Sequence, residues 1–530
     1  MLKRYSFILL LLVNVTVYAQ IKDQVITSAG AVADGITNNA TIIQKLIDKV
    51  AAAGGGRVII PAGNFMSSSL FLKSNVELHL NLGARLLGPT NVNEYPKMKG
   101  RPAIVMAKNQ HHVALTGPGI IDGQGSELML DVFQKLRSGE IIEKDSAWLV
   151  KRPGTRAMVL SFESCTGVTV SGVTLKNASG WVQDYVECDT VLIKGITVQS
   201  TTYWNNDGLD ITDSKNVHIT KCFVNAADDG ICIKSNNPTS ISENILIDSC
   251  TVRSSASGLK FGTASAGIYK KVKVRDLLIF DTYRSAIAIE SVDGGSMEQF
   301  DIQNIVAKNT GNAIFIRLGH RNINGKVGSL KDIYISNVKA EIPLLKPDQG
   351  YPIEGPPDHL RPGFDKMPVR PSHYHIYGHP YLPYNLIPSS IVGIPGYPVQ
   401  NITLNNIEII YGGRSSKEIA YIPLQNIATI PENEAQYPEF SMFGELPAWG
   451  FYIRHAEGIK MTNIKLSYKE ADFRPAMVMD DVKNIQLNQV GIPTVKELPV
   501  FYFQNATGLD LKKITMPVPE EKAIIINNKN

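Results

Sequence analysis

Between Thr201 and Ser235 the chain reads TTYWNNDGLDITDSKNVHITKCFVNAADDGICIKS, stating nearly the same phrase twice: Asn-Asp-Gly-Leu-Asp-Ile, then Asp-Asp-Gly-Ile-Cys-Ile. Internal repetition constrains a fold more than composition does, because a repeated unit must find its packing partner in its neighbour. Aligning on the small residue of each phrase gives a column Gly208, Gly230, Gly258, Ala286, Ala313, with steps of 22, 28, 28 and 27 residues. One and three residues after the column stand Leu209 and Ile211, Ile231 and Ile233, Leu259 and Phe261, Ile287 and Ile289, and Ile314 and Ile316, all apolar. Two and four residues after it stand Asp210, Cys232, Lys234, Lys260, Gly262, Ala288, Glu290 and Arg317, with Phe315 the one bulky exception. This is period-two alternation, one face in and one face out.

Each unit carries a further short strand upstream, such as NVHIT at 216–220 and NILID at 244–248, and similar strands recur as NITLNNIEI from Asn401 and NIKLS from Asn463. Units this short cannot bury a face alone. Stacked, they predict an all-β, right-handed parallel β-helix, each coil ~4.8 Å above the last. The cysteines keep the same register: Cys222 and Cys250 each lie eight residues before their column glycine, and Cys165 and Cys188 occupy matching places in CTGVTVSGVTL and CDTVLIKGITV. They read as rungs of an interior ladder. With Cys232 they number five and contain no C-x-x-C pair, so neither a zinc site nor a disulfide framework is expected. The strong helix signal, NNATIIQKLIDKVAAAGGG, has an asparagine at its start and glycines at its end, and would cover the open end of the stack.

The first residues, MLKRYSFILLLLVNVTVYAQ, have a basic start, an apolar run and small residues before Gln20, which predicts a signal peptide over 1–19 and a secreted or periplasmic protein. The remaining chain, 20–530, is expected to be one β-helix domain and a monomer, with a Pro/Tyr-rich insertion at about 341–398 that holds thirteen of the 29 prolines. A net charge of +4 without a dense Lys/Arg block does not indicate nucleic acid, and no later apolar run is long enough for a membrane.

Asp207 and Asp229 both precede a column glycine on consecutive coils, so they should lie one above the other, with Asp228 beside them. Strict alternation points that position inward, and the glycine permits a bend that re-aims the side chain outward. Carboxylates so close cannot both ionise freely, so one pKa in the group should rise.

Asn205-Asn206-Asp207-Gly208 and Asp228-Asp229-Gly230, with the flanking phrases GIIDGQG, FLKSNVELHLNLGARLLG and VIIPAGNF, resemble glycoside hydrolase family 28, the polygalacturonase and rhamnogalacturonan-hydrolase group. The resemblance runs from about Val25 to about Leu487. It implies inverting hydrolysis of α-glycosidic bonds in a pectic polysaccharide without a metal or other cofactor. Asp228 then protonates the leaving oxygen, while Asp207 and Asp229 activate the water. Two departures bear on the substrate. Where the family has Gly-His-Gly this chain has Ala256-Ser257-Gly258, and where it has Arg-x-Lys this chain has Ala288-Ile289-Glu290.

The charge reversal at Glu290 points to a modified or rhamnose-containing pectin. Lys260 and Arg317, in the columns of Ala288 and Glu290, are candidate substrate-binding residues with Asn205, Trp204 and Glu290. For Glu290 an ion pair with Arg317 stays open beside sugar contact, and for Trp204 a core role stays open. The insertion, with its tyrosines and the HYHIYGH run, is expected to fold against the helix side and favour exo action. The histidines His373, His375 and His379 lack a framing acid or cysteine cluster for a metal. A polysaccharide lyase and a non-catalytic carbohydrate-binding β-helix are the alternatives.

Overall fold

The computed structural model describes residues 23–141, 156–202, 205–345, 385–413, 423–493 and 499–528. The leader at 1–19, Trp204 and most of the insertion, including HYHIYGH, lie outside them.

Every ladder between strands in this region is parallel, and each coil returns to pair with the one below. The coils wind as a right-handed parallel β-helix with three faces. On the first, Asp189–Lys194, Lys215–Thr220 and Ile241–Asp248 stack in turn. Thr197–Ser200, Phe223–Ala226 and Thr251–Ser254 stack on the second. The third stacks Gln183–Val186, Leu209–Thr212, Ile231–Ser235 and Leu259–Ser265. There Leu209 pairs with Ile231, Ile231 with Leu259, Leu259 with Ile287, and Ile287 with Ile314, so the small-residue column is the register of the molecule.

The upstream strands carry asparagines where the chain needs left-handed backbone, which asparagine tolerates better than most side chains. Asn216, Asn244, Asn401 and Asn463 all have φ between 53° and 56°. Their amides climb from coil to coil, Asn244 donating to Asn216 at 2.9 Å and Asn463 to Asn406 at 2.8 Å.

The interior is a continuous stack of Val, Ile, Leu and Phe that includes Cys165, Cys188, Cys222 and Cys250, while Cys232, also a buried free thiol, stands in the outward column between Asp210 and Lys260. The helix Ala40–Ala52 closes the first coils with Ile43, Leu46, Ile47 and Val50 turned inward. Its N-terminus is built differently from the expected cap. The Asn39 side chain bonds Val32, Thr37 and Met66, while Asn38 Oδ1 takes the Ala40 N–H at 3.1 Å. A second helix, Gly125–Ser138, was not visible in the repeat and buries Leu128, Met129, Val132 and Phe133. Neither helix is long and apolar enough to cross a membrane.

The outward side of the third face is not open surface along its whole length. From Phe315 onward one of its outward columns is largely apolar, and Phe315, Tyr452, Val478 and Tyr502, with Val392 from the neighbouring column, pack beneath Ile427, Ile430, Phe440, Phe443 and Leu446 of the segment 423–448. Phe315 breaks the polar pattern because it begins this second core.

The column glycines are needed for space. Their φ values are not positive. A Cβ at Gly208 would stand 2.4 Å from Val224 Cγ1, and one at Gly230 would stand 2.3 Å from Val252 Cγ1. Glycine and the next residue therefore both face the core, alternation slips by one, and the preceding aspartate turns outward. Gly230→Ala is expected to destabilise the protein by about 1–3 kcal/mol through overpacking. Gly491→Ala, whose Cβ would meet nothing within 4 Å, should stay within about 0.5 kcal/mol. Denaturant midpoints of the two variants measure the difference.

Candidate active site

The two turns that lead onto the third face deliver the acids. Gly208 N donates to Asp229 O at 2.8 Å, and Asp228 N to Asn206 O at 3.3 Å, which sets one turn upon the other. Asn206 is fully buried and ties its turn down, accepting from Ser200 Oγ and donating to the carbonyls of Ala178 and Gly180. Asn205, expected at the substrate, is half-buried beside the acids: its Nδ2 donates to Asp207 Oδ1 at 3.1 Å, while its own Oδ1 accepts from Arg156 at 3.2 Å.

Asp207 and Asp229 are buried, 3% and 4% exposed, whereas Asp228 is half-buried. Each buried acid has a buried lysine. Lys234 Nζ stands 2.6 Å from Asp207 Oδ2 and also contacts Asp210 Oδ1. Lys260 Nζ stands 3.1 Å from Asp229 Oδ2 and 3.7 Å from Glu290 Oε2, and it donates to Tyr437 Oη at 3.0 Å. On the other side of Lys234 the Trp181 ring lies 3.8 Å from the ammonium, with Arg101 5.1 Å from the same ring.

Burial removes hydration from a charge, so a carboxyl in this region is neutralised or ionic according to its cations. Three carboxyls near the acid trio are raised. Burial pushes Asp184 up to about 6 despite Lys234, pushes Glu290 up to about 7 despite Lys260, and lifts Asp210 well above the usual range. At Asp229 burial also acts upward, but Lys260, Arg284 and Lys234 together outweigh it and hold the carboxyl below its ordinary value.

Lys260 and Glu290 thus join the acids, though both are buried (1% and 2% exposed) and face each other rather than open solvent. Glu290 also accepts from Thr263 Oγ1 at 3.0 Å. Arg317 corrects the expectation placed on it. It pairs in register with Glu290 but is fully buried under the 423–448 segment, where it donates to the carbonyls of Gly393 at 2.8 Å and Glu432 at 2.6 Å. It holds the cover in place and makes no ion pair with Glu290.

Sequence reasoning missed Lys234, Asp184, Trp181, Arg284, Tyr437 and Glu439. Lys234 was visible four residues after its column glycine, in the phrase that carries two of the acids. Tyr437 and Glu439 gave no local signal, because they arrive from a segment 177 residues beyond Lys260. Tyr437 covers Lys260, and Glu439 pairs with Arg284 at 2.9 Å.

The β-helix agrees with the comparisons. The profile of glycosyl hydrolases family 28 matches residues 52–342. The chain belongs to this family. A probable polygalacturonase of Vitis vinifera is 25% identical over 325 residues, 58% of each chain. An exo-poly-alpha-D-galacturonosidase of Dickeya chrysanthemi is 28% identical over 248 residues, 39% of this chain and 41% of its own. The chain thus spans under six-tenths of the length of these relatives. The crystal structure of a hyperthermoactive exopolygalacturonase from Thermotoga maritima shares the fold, with a TM-score of 0.57 at 22% identity over 74% of this chain and 87% of its own.

Asp184 offers a test of the electrostatics. Folded, it keeps its proton to about pH 6, whereas its ordinary value is 3.8. The folded state binds more protons across that window, so stability falls as pH rises through it and stays lower above. Asp184→Asn retains an acceptor for Thr212 Oγ1 and cannot ionise. Its stability relative to wild type should rise by about 3 kcal/mol between pH 4 and pH 7, read from urea unfolding at each pH.

Proposed function

We propose that this family 28 protein is an exported glycoside hydrolase that cleaves α-glycosidic bonds in pectic polysaccharide with inversion. The observation that carries the reading is the division of the acid trio: Asp207 and Asp229 are each buried against a lysine, while Asp228 is the acid left half-open. Asp228 suits the group that meets the glycosidic oxygen. It gives its proton to the leaving sugar, water attacks the anomeric carbon from the opposite side, and the water's proton passes to the Asp207–Asp229 pair. Ionised carboxylates beside the ring also stabilise positive charge developing at the anomeric carbon.

The relative in Dickeya chrysanthemi is named an exo-enzyme, which supports action at chain ends. Buried Glu290, locked to Lys260 where a cation was expected, supports a modified or rhamnose-containing pectin over plain homogalacturonan. The basic and apolar first residues support export.

Reducing-end release from homogalacturonan, rhamnogalacturonan and de-esterified pectin fragments tests the reading. Wild type should release ends from at least one, with proton NMR showing the product anomer inverted. Asp228→Asn should lower kcat by about 10²–10⁴-fold. No release from the whole panel by folded protein would refute the proposal.

A further inference from the structure

Stacked rungs place like residues on like, so Asp207 and Asp229 sit on consecutive coils in equivalent positions. Both are needed ionised if they share the task of taking a proton from water, yet burial and mutual repulsion oppose that. The structure meets the conflict with two lysines, each four or two residues past its own column glycine and each buried. Lys234 lies between Asp207 and Asp210, and Lys260 between Asp229 and Glu290. The two arrangements repeat one coil apart, and in each the lysine touches an acid of the trio on one side and a second buried carboxyl on the other. Neither lysine reaches open solvent (7% and 1% exposed). Lys260 is further sealed by the Tyr437 hydroxyl and Lys234 by the Trp181 ring.

We infer that Lys234 and Lys260 are a matched pair of positioning residues, which act through Asp207 and Asp229 by holding both carboxylates charged and oriented toward the water. This inference rests on the hydrolase reading of the same site. It reassigns Lys260, which the sequence offered as a sugar contact. The groups facing Asp229 all bear on the test: Lys260, Lys234 and Arg284 are cationic, Asp228 adjoins it, and Cys232 and Glu290 stand near. Removing one cation of the three should let Asp229 hold its proton to higher pH. Loss of activity should therefore be reversed by base, which damage to the fold would not be.

The experiment measures kcat and KM against pH for wild type, Lys260→Met and Lys260→Arg on the preferred pectic oligosaccharide. The acid limb of kcat in Lys260→Met should move up by about one to two pH units, with kcat above the limb and KM both within about threefold of wild type. Lys260→Arg should keep the limb at its wild-type position. An unmoved limb, or activity lost at every pH in a folded protein, overturns the inference. So does a KM raised more than about tenfold with kcat unchanged, since that is the mark of a direct sugar contact. Lys260→Gln repeats the measurement if the methionine variant does not fold. Carbon-13 NMR titration of the aspartate carboxyls, with Asp229→Asn to assign the signal, separates this from the wider reading. Should wild type cleave nothing, the hydrolase reading fails, while an upward shift of the Asp229 titration in Lys260→Met still supports the lysine's role and an unmoved one refutes it.

Discussion

In a parallel rung, each residue lies over its equivalent in the next coil, and the rest of this molecule follows from that one rule. It makes the interior easy: isoleucine over isoleucine buries apolar area in an unbroken stack. It makes the corners cheap, since one asparagine amide can bond the next. It also makes function difficult, because a repeated acid is set over a repeated acid. The glycines with no room for a Cβ turn those acids outward, and the buried lysines then absorb the repulsion. Charge is balanced locally, rung by rung, rather than by solvent.

The outward side of the third face changes character along the axis. Near Asp184, Asp210 and Lys260 it is polar and charged. Past Ala288 it becomes Phe315, Tyr452, Val478 and Tyr502, covered by a second apolar core. The cover then turns back over the polar end, where Tyr437 and Glu439 reach Lys260 and Arg284. The same segment is therefore packing at one end and part of the site at the other. Arg317 and Arg454 tie down its start through Glu432, by the backbone carbonyl and the carboxylate respectively.

The repeat was legible because it is local: the column from Gly208 to Ala313 matches the observed pairing residue for residue. The stacking of Asp207 over Asp229 and their outward aim were legible for the same reason, and it is lack of room for a Cβ that demands the glycine after each. The helix Gly125–Ser138 was missed because it interrupts the repeat rather than obeying it. Glu290 and Arg317 were correctly placed in one column, yet adjacency in a column did not make them partners. Glu290 turned to the lysine of the coil below, and Arg317 bonded carbonyls of the cover. Those choices depend on a segment more than a hundred residues away, and no periodicity encodes that.

A solenoid can usually gain or lose a coil without harm, since each unit needs only its neighbours. Here the bridge from Tyr437 to Lys260 spans several coils and ties both ends to a common scale. One additional coil between Ala313 and Leu424 would carry the cover ~4.8 Å along the axis, leaving Tyr437 opposite a different rung and Arg284 without Glu439. The repeat number over that stretch is thus set by the site and not by the stack, so natural variation in length should concentrate before Gln183 and after Phe451, where coils can be added without sliding the cover over the acids.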